Sequence, residues 1–318
     1  MSTEGGTRAV VAALLANSGI AVAKFVAAGI SGSASMLAEG VHSVADAGNQ
    51  VLLLVGGRRA KKAADEEHPF GYGRERYVFA FVVAIILFSV GGMFSLYEGI
   101  HKLEAHEELN LPWIPLAVLA IAIALESFSL RTAVIEANKA RGKDSLFAFI
   151  RHAKQPELPV ILLEDIAALT GLAFAFVGVS LSLLTGDVIW DAIGTIAIGV
   201  LLIGVAVVLG IETKSLLVGE GATRADVAKI RAVFEGHKNV EAIIHMKTLY
   251  LGPDELMVAA KVAVAKTTKA TEIAKAINEI EVSVREAVPL ARVIYIEPDI
   301  YVAGSNTKTD AIIIPGHD

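Results

Sequence analysis

The stretch from residue 31 to 52, SGSASMLAEGVHSVADAGNQVL, is apolar enough to cross a membrane, yet it carries Glu39, His42, Asp46 and Asn49. Their spacings of 3, 4 and 3 put all four on one face of a helix. An ionisable group at bilayer depth is costly unless it is paired or lines a wet cavity, so such a stripe points to function. His42 and Asp46 form an i, i+4 pair of a nitrogen and an oxygen ligand. That pair suits a borderline divalent cation such as zinc, cobalt, iron or manganese. The plainer reading is a polar contact between helices, which Asn49 alone would satisfy.

A second constellation stands in PELPVILLEDIAALTGL, where Glu164 and Asp165 are adjacent carboxylates in an apolar run. Neighbours on a helix point about 100° apart, so one would face a site and the other a neighbouring helix. With His42 and Asp46 they would complete a shell of three or four ligands built from two helices. The plainer readings are an ion pair with Lys24, or hydrogen-bond support of the ligands. Glu126 and Asp191 are single carboxylates in apolar runs, and read as interhelical polar contacts or proton-relay members. Lys24 either ends its helix in solvent or pairs inside a bundle.

Composition says what must position these residues. The chain has 318 residues, of which 54% are apolar, and a mean hydropathy of +0.58. That exceeds the average for soluble domains, and several apolar runs approach the roughly twenty residues needed to span a bilayer. There are no cysteines, which excludes disulfides and thiolate ligands. A net charge of −6 gives no sign of nucleic-acid binding. The N-terminal MSTEGGTR lacks the pattern of a cleaved signal peptide, and none is expected.

Six spans are expected, over residues 9–30, 33–57, 77–100, 113–135, 158–184 and 188–209, making a transmembrane domain of residues 1–218. Basic residues cluster after the second span (Arg58, Arg59, Lys61, Lys62, Arg74, Arg76) and after the fourth (Arg131, Lys139, Arg141, Lys143, Arg151, Lys154). The opposite loops are poor in them, so both termini are expected in the cytoplasm. From about residue 219 to 302 the pattern becomes that of a small soluble α+β domain. A helix at 223–237 is followed by strands at 240–251 and 255–265 joined by Gly252-Pro253-Asp254, a helix at 269–288 and a strand at 291–297. Residues 303–318 are expected to be a disordered tail.

Taken together, these residues resemble the cation diffusion facilitator family of divalent metal/proton antiporters. The resemblance rests on Ser31-Gly-Ser-Ala, His42-Ser-Val-Ala-Asp46, the loop motif His68-Pro-Phe-Gly-Tyr-Gly-Arg74, six spans and the αββαβ domain. It implies a transport site between spans two and five, with one pair of ligands at i, i+4 on each. Span two matches with His42 and Asp46. In span five Asp165 matches the second position, Ile161 stands at the first, and Glu164 precedes Asp165. The LLED run is similar to the branch containing the ninth mammalian zinc transporter. The metal ligands so implied are His42, Asp46, Asp165 and Glu164.

Two further family sites look incomplete. In the loop after span two, Asp65 and His68 match but Tyr72 replaces a later histidine, and His68 reads more simply as turn chemistry. In the C-terminal domain His245 matches a strand position, but Tyr295 stands where a histidine is often found. His245 and Glu297 would make at most a weak site.

The resemblance implies alternating access, zinc efflux in exchange for protons, a homodimer and no bound cofactor beyond the transported ion. The membrane is expected to be a bacterial plasma membrane. The other readings are a manganese, iron or cobalt exporter of the same fold, a passive cation channel, and an intramembrane metalloenzyme. No nucleophile elbow or HExxH motif supports an enzyme.

Overall fold

The computed structural model describes residues 18–105, 111, 113–142 and 145–300. The chain divides into two units, Met1–Leu217 and Val218–Asp318. The amino-terminal signal-peptide expectation, the first part of span one and the tail from residue 303 lie outside the described residues.

Unit one is helical. Its helices are α1 (Ser18–Ser31), α2 (Ala34–Arg59), α3 (Glu75–Ile86), α4 (Phe94–Ala105), α5 (Trp113–Ala140), α6 (Leu146–His152), α7 (Glu157–Thr185) and α8 (Ile189–Val218). Residues Leu87–Met93 form a π-helical segment that joins α3 to α4 in one rod. Four continuous helices among the described residues are long and apolar enough to cross a membrane: Glu75–Glu104, Trp113–Ala140, Glu157–Thr185 and Ile189–Val218. This is two fewer than the six expected, and each shortfall has a cause. The described part of α1 is short, and α2, though 26 residues long, carries the polar stripe. α8 outruns its expected end at residue 209. Glu212, Thr213 and Lys214 end the hydropathy but not the helix, which continues until Gly219 takes φ 121°.

Glycines let these helices approach closely, as small residues do where lipid removes the hydrophobic drive between helices. A Cβ on Gly92 would stand 2.6 Å from Ile203 of α8, and one on Gly99 would stand 2.7 Å from Ile196. Gly178 of α7 meets the backbone of Trp190 in the same way, at 2.8 Å. Hydroxyls within the apolar helices are satisfied by the carbonyl one turn earlier, as for Ser95 on Gly91 (2.7 Å) and Thr213 on Leu209 (2.6 Å). Large apolar side chains such as Ile121, Phe128 and Val200 remain exposed on the outer helix faces.

Unit two has the order α9 (Arg224–Gly236), β1 (Ala242–Gly252), β2 (Glu255–Ala263), α10 (Ala270–Ala287) and β3 (Ala291–Asp299). The sheet order is β1-β2-β3, with β1/β2 antiparallel and β2/β3 parallel. Thr223 caps α9 by accepting from the Asp226 amide at 3.2 Å. Along β2 the burial alternates, so Leu256, Val258, Ala260 and Val262 point inward. They pack with Ile230 and Phe234 of α9 and Ile280 and Val284 of α10 in an apolar core that also takes in the ring of Tyr250.

Candidate metal site

The site is built on α2, whose start is fixed from another helix. Gly32 takes φ 69° and separates α1 from α2. Ser33 then caps α2, accepting from the Met36 amide at 3.2 Å. Asp191, at the start of α8, accepts from the Ser33 hydroxyl (2.9 Å), the Ala34 amide (2.8 Å), and the Ser35 amide and hydroxyl. A buried carboxylate therefore sits on the N-terminus of α2, where free amides and the helix dipole favour an anion. Asp191 belongs to this cap, the interhelical half of what its sequence position suggested.

The stripe of α2 faces inward along its length. Glu39, His42 and Asn49 are at most 1% exposed, while Asp46 retains 16% side-chain exposure. Lys24 of α1 lies beside the first of them. Its ammonium donates to Glu39 Oε2 at 2.9 Å and to Ser43 Oγ at 2.7 Å. Lys24 therefore pairs inside the bundle, and its partner is Glu39 rather than Glu164. His42 Nε2 stands 3.4 Å from Asp46 Oδ2 without forming a hydrogen bond. Both ring nitrogens of His42, and Asp46 Oδ1, are buried without a hydrogen-bond partner. A buried polar atom left unpaired costs about 1–3 kcal/mol. Three such atoms on adjacent turns of one helix are a set of nitrogen and oxygen donors that no protein hydrogen bond uses.

The two acidic residues of α7 part company as their angular separation requires. Glu164 is buried and accepts from Asn49 Nδ2 at 2.7 Å, closing the stripe against α7. Asp165 turns toward α5 and accepts from Ser129 Oγ at 3.0 Å. Asp46 lies within electrostatic range of both. Among the described residues, no three His, Asp or Glu side chains converge closely enough to hold a metal ion in this conformation. His42 and Asp46 are adjacent, whereas Glu164 and Asp165 are each held by a neutral side chain. Glu126 of α5 lines a small cavity with Asp46, Ser43 and Ile20. Nothing in the sequence marked Glu126 as a neighbour of Asp46, because that proximity depends on how α5 lies against α2.

At the other two candidate sites protein groups engage the carboxylates, while His245 Nδ1 is buried without a hydrogen-bond partner. In the loop before α3, Asp65 accepts from Lys62 Nζ (2.9 Å), the Tyr72 hydroxyl (2.7 Å) and the His68 amide (2.9 Å). The Lys62 ammonium, then the Tyr72 hydroxyl, hold the Asp65 carboxyl below the usual carboxylate range. His68 packs against Tyr72 with ring centroids 4.3 Å apart and planes tilted by 33°. In the sheet of unit two, Lys261 pairs with His245 on one side and Glu297 on the other. Its ammonium binds Glu297 at 3.0 Å, placing a cation between the two residues that a metal would have to bridge. Tyr295 is exposed.

The helical unit thus carries a buried polar stripe with orphaned imidazole and carboxylate atoms among helices apolar enough to cross a membrane. The family model described as the cation efflux transmembrane domain matches residues 10–218. The chain belongs to that family, the cation diffusion facilitators, and within it to the branch of the first two relatives that follow. It is 30% identical over 261 residues to the human proton-coupled zinc antiporter SLC30A9, mitochondrial, covering 81% of this chain and 46% of that protein. It is 29% identical over 257 residues to metal tolerance protein C4 of Arabidopsis thaliana, covering 80% of this chain and 56% of that protein. The magnetosome protein MamB of Magnetospira sp. (strain QH-2) is 24% identical over 246 residues, covering 76% and 78%. The chain spans about half the length of the first two.

Proposed function

We propose that this chain exports a divalent transition metal ion, zinc foremost, in exchange for protons. The carrying observation is a nitrogen and oxygen donor set among the buried, unpartnered atoms of α2: both nitrogens of His42 and Oδ1 of Asp46. An imidazole nitrogen and a carboxylate oxygen are ligands that zinc accepts readily, and the cysteine-free sequence leaves no softer choice. The names of the relatives SLC30A9 and metal tolerance protein C4 support the same cargo class.

In this reading α2 supplies His42 and Asp46, and α7 supplies Asp165, with Glu164 supporting the shell. The Asp165 carboxylate closes on the ion when α7 shifts against α2, exchanging the Ser129 hydrogen bond for the ion, while Glu164 stays on Asn49. Binding requires a neutral imidazole and ionised carboxylates, so protons and metal compete for the same atoms. Protons arriving on the far side displace the ion there and leave on the near side. α1, α2, the α3–α4 rod, α5, α7 and α8 act as six spans in a homodimer with cytoplasmic termini. The membrane proposed is a bacterial plasma membrane. Asp46→Ala is expected to abolish zinc flux in proteoliposomes with an imposed pH gradient while the protein elutes unchanged on size exclusion. Flux at the wild-type rate would refute the assignment. Wild-type flux indifferent to the gradient would indicate a channel instead.

A further inference from the structure

One turn from His42 toward the start of α2, Glu39 is fully buried, and its two oxygens have different surroundings. Oε2 accepts from Lys24 at 2.9 Å, while Oε1 has no hydrogen-bond partner. Oε1 is directed at α7 where that helix has no side chain: a Cβ on Gly171 would stand 2.7 Å from it, with Ile198 of α8 alongside. His42 Nδ1, also unpartnered, faces Gly91 of the π-helical segment, with Leu202 of α8 alongside. Ile198 and Leu202 are successive turns of α8, so the same helix flanks both orphaned atoms, Oε1 on the α7 side and Nδ1 on the side of the π-helical segment. Residues at i and i+3 on a helix have Cβ atoms about 5–6 Å apart. One cation with ligand bonds of about 2 Å can bridge such a pair.

Resting on the function proposed above, we propose that Glu39 Oε1 and His42 Nδ1 form a second station for the transported divalent cation, which Lys24 guards while the station is empty. Lys24 is within electrostatic range of both His42 and Asp46. As the ion moves from Asp46 toward Glu39, it takes over neutralisation of the Glu39 carboxylate. The Lys24 ammonium withdraws onto Ser43, which it already contacts at 2.7 Å. The exchange never leaves the buried carboxylate without a counter-cation, which is the arrangement a low-dielectric interior requires. Two side-chain ligands make a weak site, as a station must be if the ion is to leave it. His42 belongs to both stations and hands the ion on by changing which ring nitrogen it uses.

The test removes the pair without leaving a lone charge. In Lys24→Met/Glu39→Gln, zinc binding by isothermal titration is expected to remain while zinc flux in proteoliposomes falls at least about tenfold. Flux within about twofold of wild type would overturn the proposal. Loss of binding along with flux would overturn it too, since the pair would then only hold α1 against α2. Gly171→Ala reaches the same point independently. Its methyl displaces Oε1, the free end of a flexible side chain, and leaves the Lys24 contact on Oε2 in place. Flux is expected to fall several-fold with binding retained, and wild-type flux would again overturn the proposal. The parent reading is judged separately, by whether the wild-type protein moves zinc at all.

Discussion

The two units organise their interiors by opposite rules. In unit two the core of Ile230, Phe234, Leu256, Val258, Ile280 and Val284 is built of apolar side chains with the Tyr250 ring among them, and its charged pairs, such as Lys261 with Glu297 and Asp299, lie outside that core. In unit one the apolar core of α2, α3, α7 and α8 coexists with buried Lys24, Glu39, His42, Asn49, Glu164 and Asp191. Lipid is as apolar as leucine, so apolar side chains cannot by themselves say which face of a membrane helix turns inward. Polar side chains can, because each strands a charge or a hydrogen bond if it faces lipid. Unit two is thus held by what it removes from water, and unit one is oriented by what it keeps from lipid.

The largest effects should appear where the polar interior of unit one meets the ion. Asp165→Asn is expected to eliminate zinc flux, whereas Glu164→Gln should lower it roughly 10- to 100-fold and leave it measurable. Both substitutions preserve volume, so packing is little disturbed. The structure sharpens this contrast: Glu164 is already committed to Asn49, whereas Asp165 is held only through Ser129 among the described hydrogen bonds. Equal loss in the two variants, by flux and titration, would place Glu164 on the ion as well.

Stability separates the units next. Phe234→Ala opens a cavity in the core of unit two and should destabilise that unit by about 3–5 kcal/mol. Asp191→Asn keeps its shape but removes the charge that several donors at the start of α2 share, and should cost roughly 1–3 kcal/mol in unit one. Scanning calorimetry in detergent checks both, and a larger loss from Asp191→Asn than from Phe234→Ala would break the comparison.

The smallest effect is confined to unit two. Burial, then the nearby charges of Asp226 and Glu220, push the Tyr250 phenol up to about 12. An unfolded tyrosine ionises near pH 10. Between about pH 10 and 12 the unfolded chain therefore gives up a proton that the folded unit retains, and stability falls as pH rises. Tyr250→Phe should flatten that decline in melts followed by circular dichroism.

Much of this was legible because it depends on periodicity alone. The 3-4-3 spacing put Glu39, His42, Asp46 and Asn49 on one face of α2, and the short apolar run after the Gly252-Pro253-Asp254 turn marked β2. The helix and strand limits in unit two fall within about two residues of their expected places, because caps and turns such as Thr223 and Pro253-Asp254 are local chemistry.

Pairing across helices was not legible. The sequence left Lys24 between solvent and the bundle interior and allowed Glu164 as its partner, and the fold gave it Glu39. It left Asp191 between contact and relay, and the fold set it on the N-terminus of a helix more than a hundred residues away in sequence. It offered Glu164 and Asp165 together, and the fold sent one toward α2 and the other toward α5. The physical reason is that a helix fixes the relative angles of its own side chains but not its rotation and depth against its neighbours. Those are decided by glycine contacts such as Gly92 with Ile203 and Gly178 with Trp190, which exist only once the helices pack. The sequence alone determined that a polar stripe of Glu39, His42, Asp46 and Asn49 runs down α2, and the tertiary structure decided which charges face it.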